Sequence, residues 1–310
     1  MQAQLNRSAG ASVPVVPVGV AITTLGRPHT LARCLRSLQE GSAHPAEVVV
    51  VDQSVDRSAR PVVDACDRLP DARHVGHEAS GLGAGQNEAV RHTRSRIVAV
   101  LDDDCVADPE WIAEAARLLA PESAVDMIGG RVLPLDEDGS AGLHPVSSRT
   151  SRHPRGFRSR TRPWDVGSGN NFALRREWFD RIGGCDERLG PGSPGRGAVD
   201  IDLFYRLLRA GARVRYEPSL VVYHERKTRG ERLARRVPYG YGMGAACAIW
   251  LRQRDWYALR VLVAWVSFRA RLFTGAMRRR RWMSAWEELL VLGGTVRGFV
   301  HGMRDRAPAR

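Results

Sequence analysis

The first hundred residues alternate short apolar runs with an amphipathic helical segment, which constrains the fold more than any other feature. Val13 to Thr24, Glu47 to Val51 and Ile97 to Leu101 are rich in valine and isoleucine, as strands buried on both faces are. Between the first two runs, a helix predicted from Thr30 to Gln39 carries leucines at helical spacing. The alternation predicts a parallel α/β sheet, whose ligands gather at the carboxyl ends of the strands.

Acidic residues stand directly at two of these strand ends. Asp52 follows the second run, and Asp102, Asp103 and Asp104 follow the third. Adjacent carboxylates repel one another and raise their pKa values, so such a cluster suits a hard divalent cation and the anion that the cation neutralises. The alternative is a polar turn that leads into a helix at Asp108.

The composition indicates a globular chain with a basic tail. The 310 residues are 43% hydrophobic and 26% charged, which suits one large domain or one domain with an appendage. The net charge is +13, yet residues 1–224 sum to zero, so the whole excess lies in residues 225–310. A localised anionic partner is expected for that tail.

Five cysteines without CxxC spacing favour a reducing cytoplasm, with neither a disulfide framework nor a structural zinc site. Met1 to Pro17 lacks the pattern of a secretory signal, and no segment reaches about 18 uninterrupted apolar residues. We therefore expect a cytoplasmic protein without a spanning helix.

Several loops also carry possible function. Residues 136–165 form a polar segment with six arginines, which is either a solvated loop or an anion-binding or acceptor-binding loop. Gly190 to Gly197 predicts a mobile loop beside a site. Gly81 to Gly85 has GxGxG spacing rather than GxGxxG, which argues against a dinucleotide-binding turn. The last strands are predicted at 213–216 and 220–223.

The ordered set of motifs resembles family 2 glycosyltransferases with the GT-A fold. The set comprises Asp52, the glycine turn with Asn87, the aspartate triplet, Gly167 to Arg176, Ile182 to Asp186, Val199 to Arg206 and Tyr216 to His224. The resemblance implies a GT-A-type, Rossmann-like, mixed and mainly parallel sheet flanked by helices. It divides the chain into an N-terminal tail (1–16), a catalytic domain (17–226) and a basic amphipathic helical extension (227–310).

The resemblance also implies roles for individual residues. Asp104 and His224 would bind a divalent metal, Mn²⁺ or Mg²⁺, and Asp103 would contact the nucleotide, bind the metal or orient its neighbours. Asp200 would be the catalytic base, with Asp202 as the alternative. The nucleotide-binding residues would be Thr23, Arg27, Asp52, Asn87, Asp102 and Asp103. The sugar and acceptor pocket would contain Trp164, Gly169, Asn170, Asn171 and Asp202.

Residue types alone also allow structural roles for several of these side chains. A strand-end histidine such as His224 is often a surface residue, Asp52 would form a turn, and Asp200 would cap a helix. Trp164 could equally belong to the core. The chain also departs from the family pattern, with Gln53-Ser54 in place of Gly-Ser and Val199 in place of the glutamate before Asp200.

The implied activity is inverting, metal-dependent transfer of a sugar from a nucleotide diphosphate to a hydroxyl acceptor. UDP is the first choice of nucleotide, followed by dTDP and GDP, and the acceptor would be lipid-linked or a saccharide. One alternative is a sugar-phosphate nucleotidyltransferase, although Thr23 to Arg27 offers little of the basic, glycine-rich first loop that it needs. Another is a non-enzymatic adaptor that binds membrane or nucleic acid.

The tail mixes tryptophan and aliphatic residues with arginine. Arg278 to Arg281 forms a basic run, and Trp282 and Trp286 follow it. This combination suits the headgroup region of an anionic membrane, while the alternative is a helical hairpin packed on the catalytic domain. No nucleic-acid module is recognisable, so no nucleic-acid partner is expected. The expected location is the cytoplasm, with peripheral association at the inner face of the plasma membrane.

Overall fold

A computed structural model of the chain describes residues 12–78, 80–136 and 141–304. Its centre is a nine-stranded sheet. The strands are β1 (Val15–Thr24), β2 (His44–Asp52), β3 (Ala72–Gly76), β4 (Ile97–Leu101), β5 (Cys105–Ala107), β6 (Met127–Pro134), β7 (Arg155–Phe157), β8 (Asn171–Arg175) and β9 (Val214–His224). Their order in the sheet is β3-β2-β1-β4-β8-β6-β9-β5, and β7 pairs with β9. The helices are α1 (Pro28–Gln39), α2 (Arg60–Asp64), α3 (Leu82–His92), α4 (Trp111–Leu118), α5 (Arg176–Arg181), α6 (Val199–Arg209), α7 (Arg229–Ala234), α8 (Arg236–Arg252), α9 (Tyr257–Arg278) and α10 (Trp282–Arg304).

The first half of the sheet is parallel, as the valine-rich runs predict. β1 lies between β2 and β4 and is parallel to both, and β3 extends the parallel set beside β2. Thr24 pairs with Asp52 at the carboxyl ends of β1 and β2. The strand ends therefore share one edge, where the acidic residues collect.

The second half makes the sheet mixed. β8 lies between β4 and β6 and is antiparallel to both, with Leu101 opposite Asn171. β5 is antiparallel to β9, and Cys105 pairs with His224. The α/β class with a mixed sheet is confirmed, and the antiparallel strands bring residues from the second half of the chain to the edge that carries the aspartates.

Some predicted boundaries differ from the structure. α1 begins at Pro28, which tolerates the first turn, and Arg27 precedes it as the cap; the Thr30 hydroxyl donates to the Arg27 carbonyl. The two strands predicted at 213–216 and 220–223 are one strand, β9, with a register shift against β6 near Gly130. The polar segment 136–165 contains β7 and ends in a 3₁₀ turn at Pro163–Asp165. Of the N-terminal tail, residues 1–11 lie outside the described residues.

The C-terminal helices pack on the sheet body through a shared hydrophobic core. The ring of Tyr205 on α6 stacks on Trp250 of α8 with centroids 3.7 Å apart. The indole N–H of Trp250 donates to Asp202 over 2.8 Å. Among the described residues, no helix combines the length and the apolarity that crossing a membrane requires.

Glycines allow α8 and α10 to pack backbone against backbone. A Cβ atom at Gly240 or Gly244 would overlap carbonyl oxygens of α10, and one at Gly294 or Gly298 would overlap carbonyl oxygens of α8. These four glycines are buried, whereas Gly293 is exposed and faces open space. The close approach therefore depends on the absence of side chains at particular positions.

We expect Gly298→Ala to lower the free energy of unfolding by about 3 kcal/mol, because the new methyl group must push α10 away from Tyr241. Gly293→Ala is the matched control, and its better helix propensity should raise the free energy of unfolding by about 0.5–1 kcal/mol. Chemical denaturation of both variants measures the difference. Equal effects of the two substitutions would contradict the proposed role of close packing.

Candidate active site

The site lies where the carboxyl ends of β1 and β4 meet the end of β9. Asp103 is fully buried, and Asp104 is 4% exposed. Buried carboxylates need compensating positive charge or hydrogen bonds, since the loss of hydration is costly. The surrounding residues supply both.

Thr24 and Arg27 hold Asp103 from the end of β1. The Thr24 hydroxyl donates to Asp103 over 2.6 Å, and the Arg27 guanidinium lies 2.5 Å from the other carboxylate oxygen. Arg27 also donates to Asp104 over 3.1 Å. Burial raises the pKa of Asp103 to about 6, although Arg27 and Thr24 act in the opposite direction. Arg27 thus bridges two of the three aspartates.

Asp104 faces His224 and Lys227 from β9 and the segment after it. One Asp104 oxygen lies 3.4 Å from Nε2 of His224, and the other lies 3.3 Å from Nζ of Lys227. Burial acts to raise the pKa of Asp104, but His224, Arg27 and Lys227 outweigh it and lower that pKa. Asp104 is therefore held in its ionised form.

His224 is oriented for ligation. Its Nδ1 lies 2.7 Å from the Glu225 carbonyl oxygen, so Nδ1 carries the hydrogen and Nε2 presents its lone pair towards Asp104. Burial lowers the pKa of His224, which favours the neutral imidazole that a metal requires.

The donor atoms fit a divalent cation. Ligand atoms of Asp104, Cys105 and His224 lie within 4.8 Å of one another. Burial raises the pKa of the Cys105 thiol well above its usual value, so this sulfur remains protonated and is a poor ligand for a hard cation. The carboxylate of Asp104 and the imidazole of His224 are the remaining pair, which is the pair expected from the sequence.

Sequence reasoning missed Lys227. Its side chain is 8% exposed, and its ammonium group donates to Glu225 over 2.6 Å as well as facing Asp104. The signal lies in the composition, because Lys227 is the sole lysine among 47 basic residues. The ammonium group of lysine is more compact than the planar guanidinium of arginine, which suits this enclosed position.

Asp102 and Asp200 are close enough to interact electrostatically. Burial raises the pKa of Asp102 to about 8, with contributions from Asp104, Asp103 and, to a lesser degree, Asp200. Burial also raises the pKa of Asp200, against the hydrogen bonds that its carboxylate accepts from backbone N–H groups. Two carboxyl groups with raised proton affinity, one at the end of β4 and one at the start of α6, thus lie near each other.

Gly169 positions Asp200. The Gly169 N–H donates to Asp200 over 3.0 Å, and a Cβ atom at Gly169 would lie 2.7 Å from the Asp200 Cβ. Asp200 is the second residue of α6, whose cap is Ala198. Asp200 is therefore not the helix cap that its position in the sequence also allowed.

Asn170 and Asn171 are adjacent but differ in their hydrogen bonding. Asn171 accepts from the Trp111 indole over 2.8 Å and donates to the carbonyl groups of Arg131 and Leu220. Asn170 is 3% exposed, and neither atom of its amide has a hydrogen-bond partner within the described part of the chain. An unpaired buried amide is costly, so Asn170 is a candidate for binding a ligand. The amide of Asn171 joins β6, β9 and α4, and its expected place in a sugar pocket stays a prediction.

Asp52 also has a structural role. It is fully buried, and it accepts hydrogen bonds from the Ser54 N–H, the Ser54 hydroxyl and the Ala59 N–H, while His74 Nε2 lies 3.1 Å away. These contacts use both carboxylate oxygens and order the loop after β2. The expected contact of Asp52 with the nucleotide stays a prediction beside this structural role.

Asn87 anchors the loop that contains Cys185 and Glu187. Both of its amide hydrogens are donated, one to the Cys185 carbonyl and one to Glu187, and its oxygen accepts from the Cys185 N–H. The preceding glycines serve packing, since a Cβ atom at Gly85 would overlap Thr23 of β1. The expected contact of Asn87 with the nucleotide stays a prediction.

Trp164 and Asp202 belong to the core. Trp164 is 5% exposed and packs edge-to-face on Trp265 with centroids 5.2 Å apart. Asp202 is 1% exposed, with Arg206 at 2.5 Å and the Trp250 indole donating to it. Both side chains are engaged within the protein, and their expected place in the sugar or acceptor pocket stays a prediction.

Solved glycosyltransferases share this architecture, which defines the chain as a protein of the GT-A class. A mannosyltransferase from Pyrobaculum calidifontis, in complex with GDP-Man and Mn²⁺, superposes with a TM-score of 0.62 at 20% identity, over 94% of this chain and 89% of the other. TarS (residues 1–349) from S. aureus, in complex with UDP-GlcNAc, gives a TM-score of 0.61 at 17% identity, over 91% and 81%.

The chain belongs to glycosyl transferase family 2, whose signature matches residues 19–183, just over half of its length. Among relatives, the pre-mycofactocin glycosyltransferase of Mycobacterium tuberculosis is 29% identical over 71% of this chain and 46% of its own length. Chondroitin synthase of Escherichia coli is 24% identical over 67% of this chain and 34% of its own. The chain thus spans less than half of each of these relatives. Family membership sets aside the nucleotidyltransferase and the non-enzymatic adaptor.

The two asparagines give opposite expectations for stability. Asn171→Ala should lower the free energy of unfolding by about 3–5 kcal/mol, because it leaves Trp111 and two buried carbonyl groups without partners. Asn170→Ala removes no hydrogen bond and should leave the free energy of unfolding unchanged or raise it slightly. Urea unfolding of both variants checks this, and equal destabilisation would show that Asn170 is structural too.

Proposed function

We propose that the chain is an inverting, metal-dependent glycosyltransferase whose donor is a nucleotide diphosphate sugar, with UDP tested first and dTDP and GDP next. The acceptor is a hydroxyl group of a lipid-linked or saccharide substrate. One observation carries the proposal: a cation site at Asp104 and His224 lies on the same sheet edge as the Asp200 carboxyl group. The mannosyltransferase with GDP-Man and Mn²⁺ and TarS with UDP-GlcNAc support a nucleotide sugar as the donor class.

The diphosphate end of the donor lies at the aspartates. Asp104 and His224 would hold Mn²⁺ or Mg²⁺, and the metal would supply positive charge against the leaving diphosphate. Arg27 adds positive charge at the same place, and Asp103 keeps Arg27 and the end of β1 in position. Lys227 provides a second fixed cation beside Asp104.

The nucleoside and the sugar lie on the side of Thr23, Asp102 and Asn170. The Thr23 hydroxyl oxygen is buried without a hydrogen-bond partner among the described residues, as are both polar atoms of the Asn170 amide. Asn170 directly precedes Asn171, which pairs with the last residue of β4, so Asn170 lies next to Asp102. Asp102 binds the ribose, Asn170 binds a sugar hydroxyl, and Gly169 leaves space for the ring.

Asp200 is the catalytic base. Burial raises its pKa, so its carboxylate accepts a proton more readily than an exposed aspartate does. It takes the proton from the acceptor hydroxyl while that oxygen bonds to the anomeric carbon and the bond to the diphosphate oxygen breaks. A single displacement of this kind inverts the configuration at the anomeric carbon.

The reaction takes place in the cytoplasm, peripherally at the inner face of the plasma membrane. All five cysteines are free and buried, which suits a reducing compartment. A lipid-linked acceptor would be presented at that membrane, and polysaccharide biosynthesis is the corresponding pathway class.

Calorimetric titration of UDP in the presence and absence of Mn²⁺ tests the donor site. We expect UDP to bind only when the metal is present. His224→Ala and Asn170→Ala should each lower the affinity for UDP-sugars by about tenfold or more. Asn170→Ala should lose affinity for the nucleotide sugar but not for UDP alone, because it contacts the sugar. If none of UDP, dTDP and GDP shows metal-dependent binding, the proposed enzyme activity is refuted.

Substitutions of Asp200 and Asp202 distinguish a catalytic role from a structural one. Asp200→Asn should lower kcat by about 10³-fold and leave donor affinity and stability unchanged, because only the proton acceptor is lost. Asp202→Asn is the control: it breaks the buried pair with Arg206 and should cost about 3 kcal/mol of stability. Transfer rates, donor titration and unfolding curves measure these effects, and a parallel loss of donor binding in Asp200→Asn would assign that residue a structural role.

A further inference from the structure

We propose that the α9–α10 hairpin is the surface by which the chain docks on a bilayer that contains anionic lipids. The centre of this surface is the hairpin tip, residues 277–286, where α9 ends and α10 begins. The inference deepens the proposed membrane location and rests on it, while it is independent of the chemistry at the strand ends.

The hairpin tip exposes large apolar side chains around an arginine turn. Trp282 is 62% exposed and Trp286 is 53% exposed, and Met277 and Met283 flank them at 37% and 40%. The turn between the helices is formed by Arg279 to Arg281, which are all exposed. Tryptophan with flanking arginine is the combination that favours the region between lipid headgroups and acyl chains.

From the tip, an apolar stripe extends along each helix. On α10, exposed residues are spaced by three, four or seven positions, which keeps them on one face: Trp282, Trp286, Leu289, Val296, Val300 and Met303. On α9, the exposed residues Leu259, Val263 and Val266 have the same spacing, and Met277 follows three turns later. Two such stripes are more than the isolated apolar residues that any protein surface shows.

The exposed charges around these stripes are all positive. Within residues 256–304, all of which the structure describes, the acidic residues are Glu287 and Glu288, and both are buried. Glu287 pairs with Arg232 and Arg236, and Glu288 pairs with Arg269. The exposed charged residues are Arg260, Arg271, Arg278, Arg279, Arg280, Arg281, Arg297 and Arg304.

The exposed faces are not needed to hold the helices in place. Trp265 of α9 is buried, and its indole donates to Thr295 of α10 over 3.0 Å. Val291 on α10 is buried against α8 next to Gly240. The hairpin is therefore fixed from its inner side, and its outer side remains for a partner.

Charge complementarity selects the partner. A second copy of the chain, docked through the same face, would bring two arginine turns together, and their repulsion opposes dimerisation. An anionic bilayer offers negative headgroups to the arginines and an apolar interior to the stripes. The phosphates of a nucleic acid would pair with the arginines, but they would not cover the exposed apolar side chains of Val263, Val296 and Trp282.

The test is co-sedimentation of the full chain with vesicles of phosphatidylcholine, with and without phosphatidylglycerol. Binding should require phosphatidylglycerol and weaken as salt is added. R278Q/R279Q/R281Q should reduce affinity by about fivefold per charge, on the order of 100-fold in all. W282S/W286S should weaken binding and reduce the quenching of tryptophan fluorescence by brominated lipid.

The matched control is R60Q/R94Q/R117Q, which removes three exposed arginines from the sheet body. It should bind vesicles as the unmodified chain does. The proposal would be overturned if the tip variants bound vesicles with the affinity of the unmodified chain, or if the control lost as much vesicle affinity as they do. A dimer in solution that the tip substitutions dissociate would also overturn it. Metal-dependent UDP binding should persist in the tip variants, so a chain that binds vesicles but no nucleotide would refute only the proposed enzyme activity.

Discussion

The arrangement of the site depends on the burial of adjacent carboxylates at the end of β4. Asp103 and Asp104 lie away from water, so they are stable as anions only beside positive or hydrogen-bonding groups. Arg27 reaches them from β1, and Lys227 reaches Asp104 from the segment after β9. The need of these carboxylates for positive charge, which a metal ion would also meet, thus brings together segments that are far apart in the chain.

The antiparallel strand β8 connects the cation site to Asp200. Because β8 pairs with β4, the residues just before it lie beside the end of the aspartate strand. Gly169 has no side chain, so its N–H reaches Asp200 at the start of α6. If β8 ran parallel to β4, Gly169 would lie at the opposite edge of the sheet, away from the aspartates. The proposed single displacement needs Asp200 and the aspartates within reach of one substrate.

The sequence predicted the elements whose signals are local. Buried parallel strands, the acidic strand end and the pair Asp104 and His224 follow from hydrophobic pattern and motif order, and the structure places them as expected. The identical neighbours Asn170 and Asn171 show where this reasoning stops. One amide joins three elements and the other has no partner within the described part of the chain, and nothing in the residue type distinguishes them. For Asp52, Asn87, Asp202 and Trp164 too, only the fold shows which groups of the protein each side chain contacts.

The sequence by itself determined the α/β class, the family, and the concentration of positive charge in the tail, because periodicity, motif order and composition are properties of the chain alone. The tertiary structure decided which polar groups remain available to a ligand, because hydrogen bonds between distant segments consume donors and acceptors. It also decided that the two glutamates of the hairpin are buried with arginines, which leaves only positive charge on the outer face. The role of the single lysine likewise became visible only once folding placed it beside Asp104.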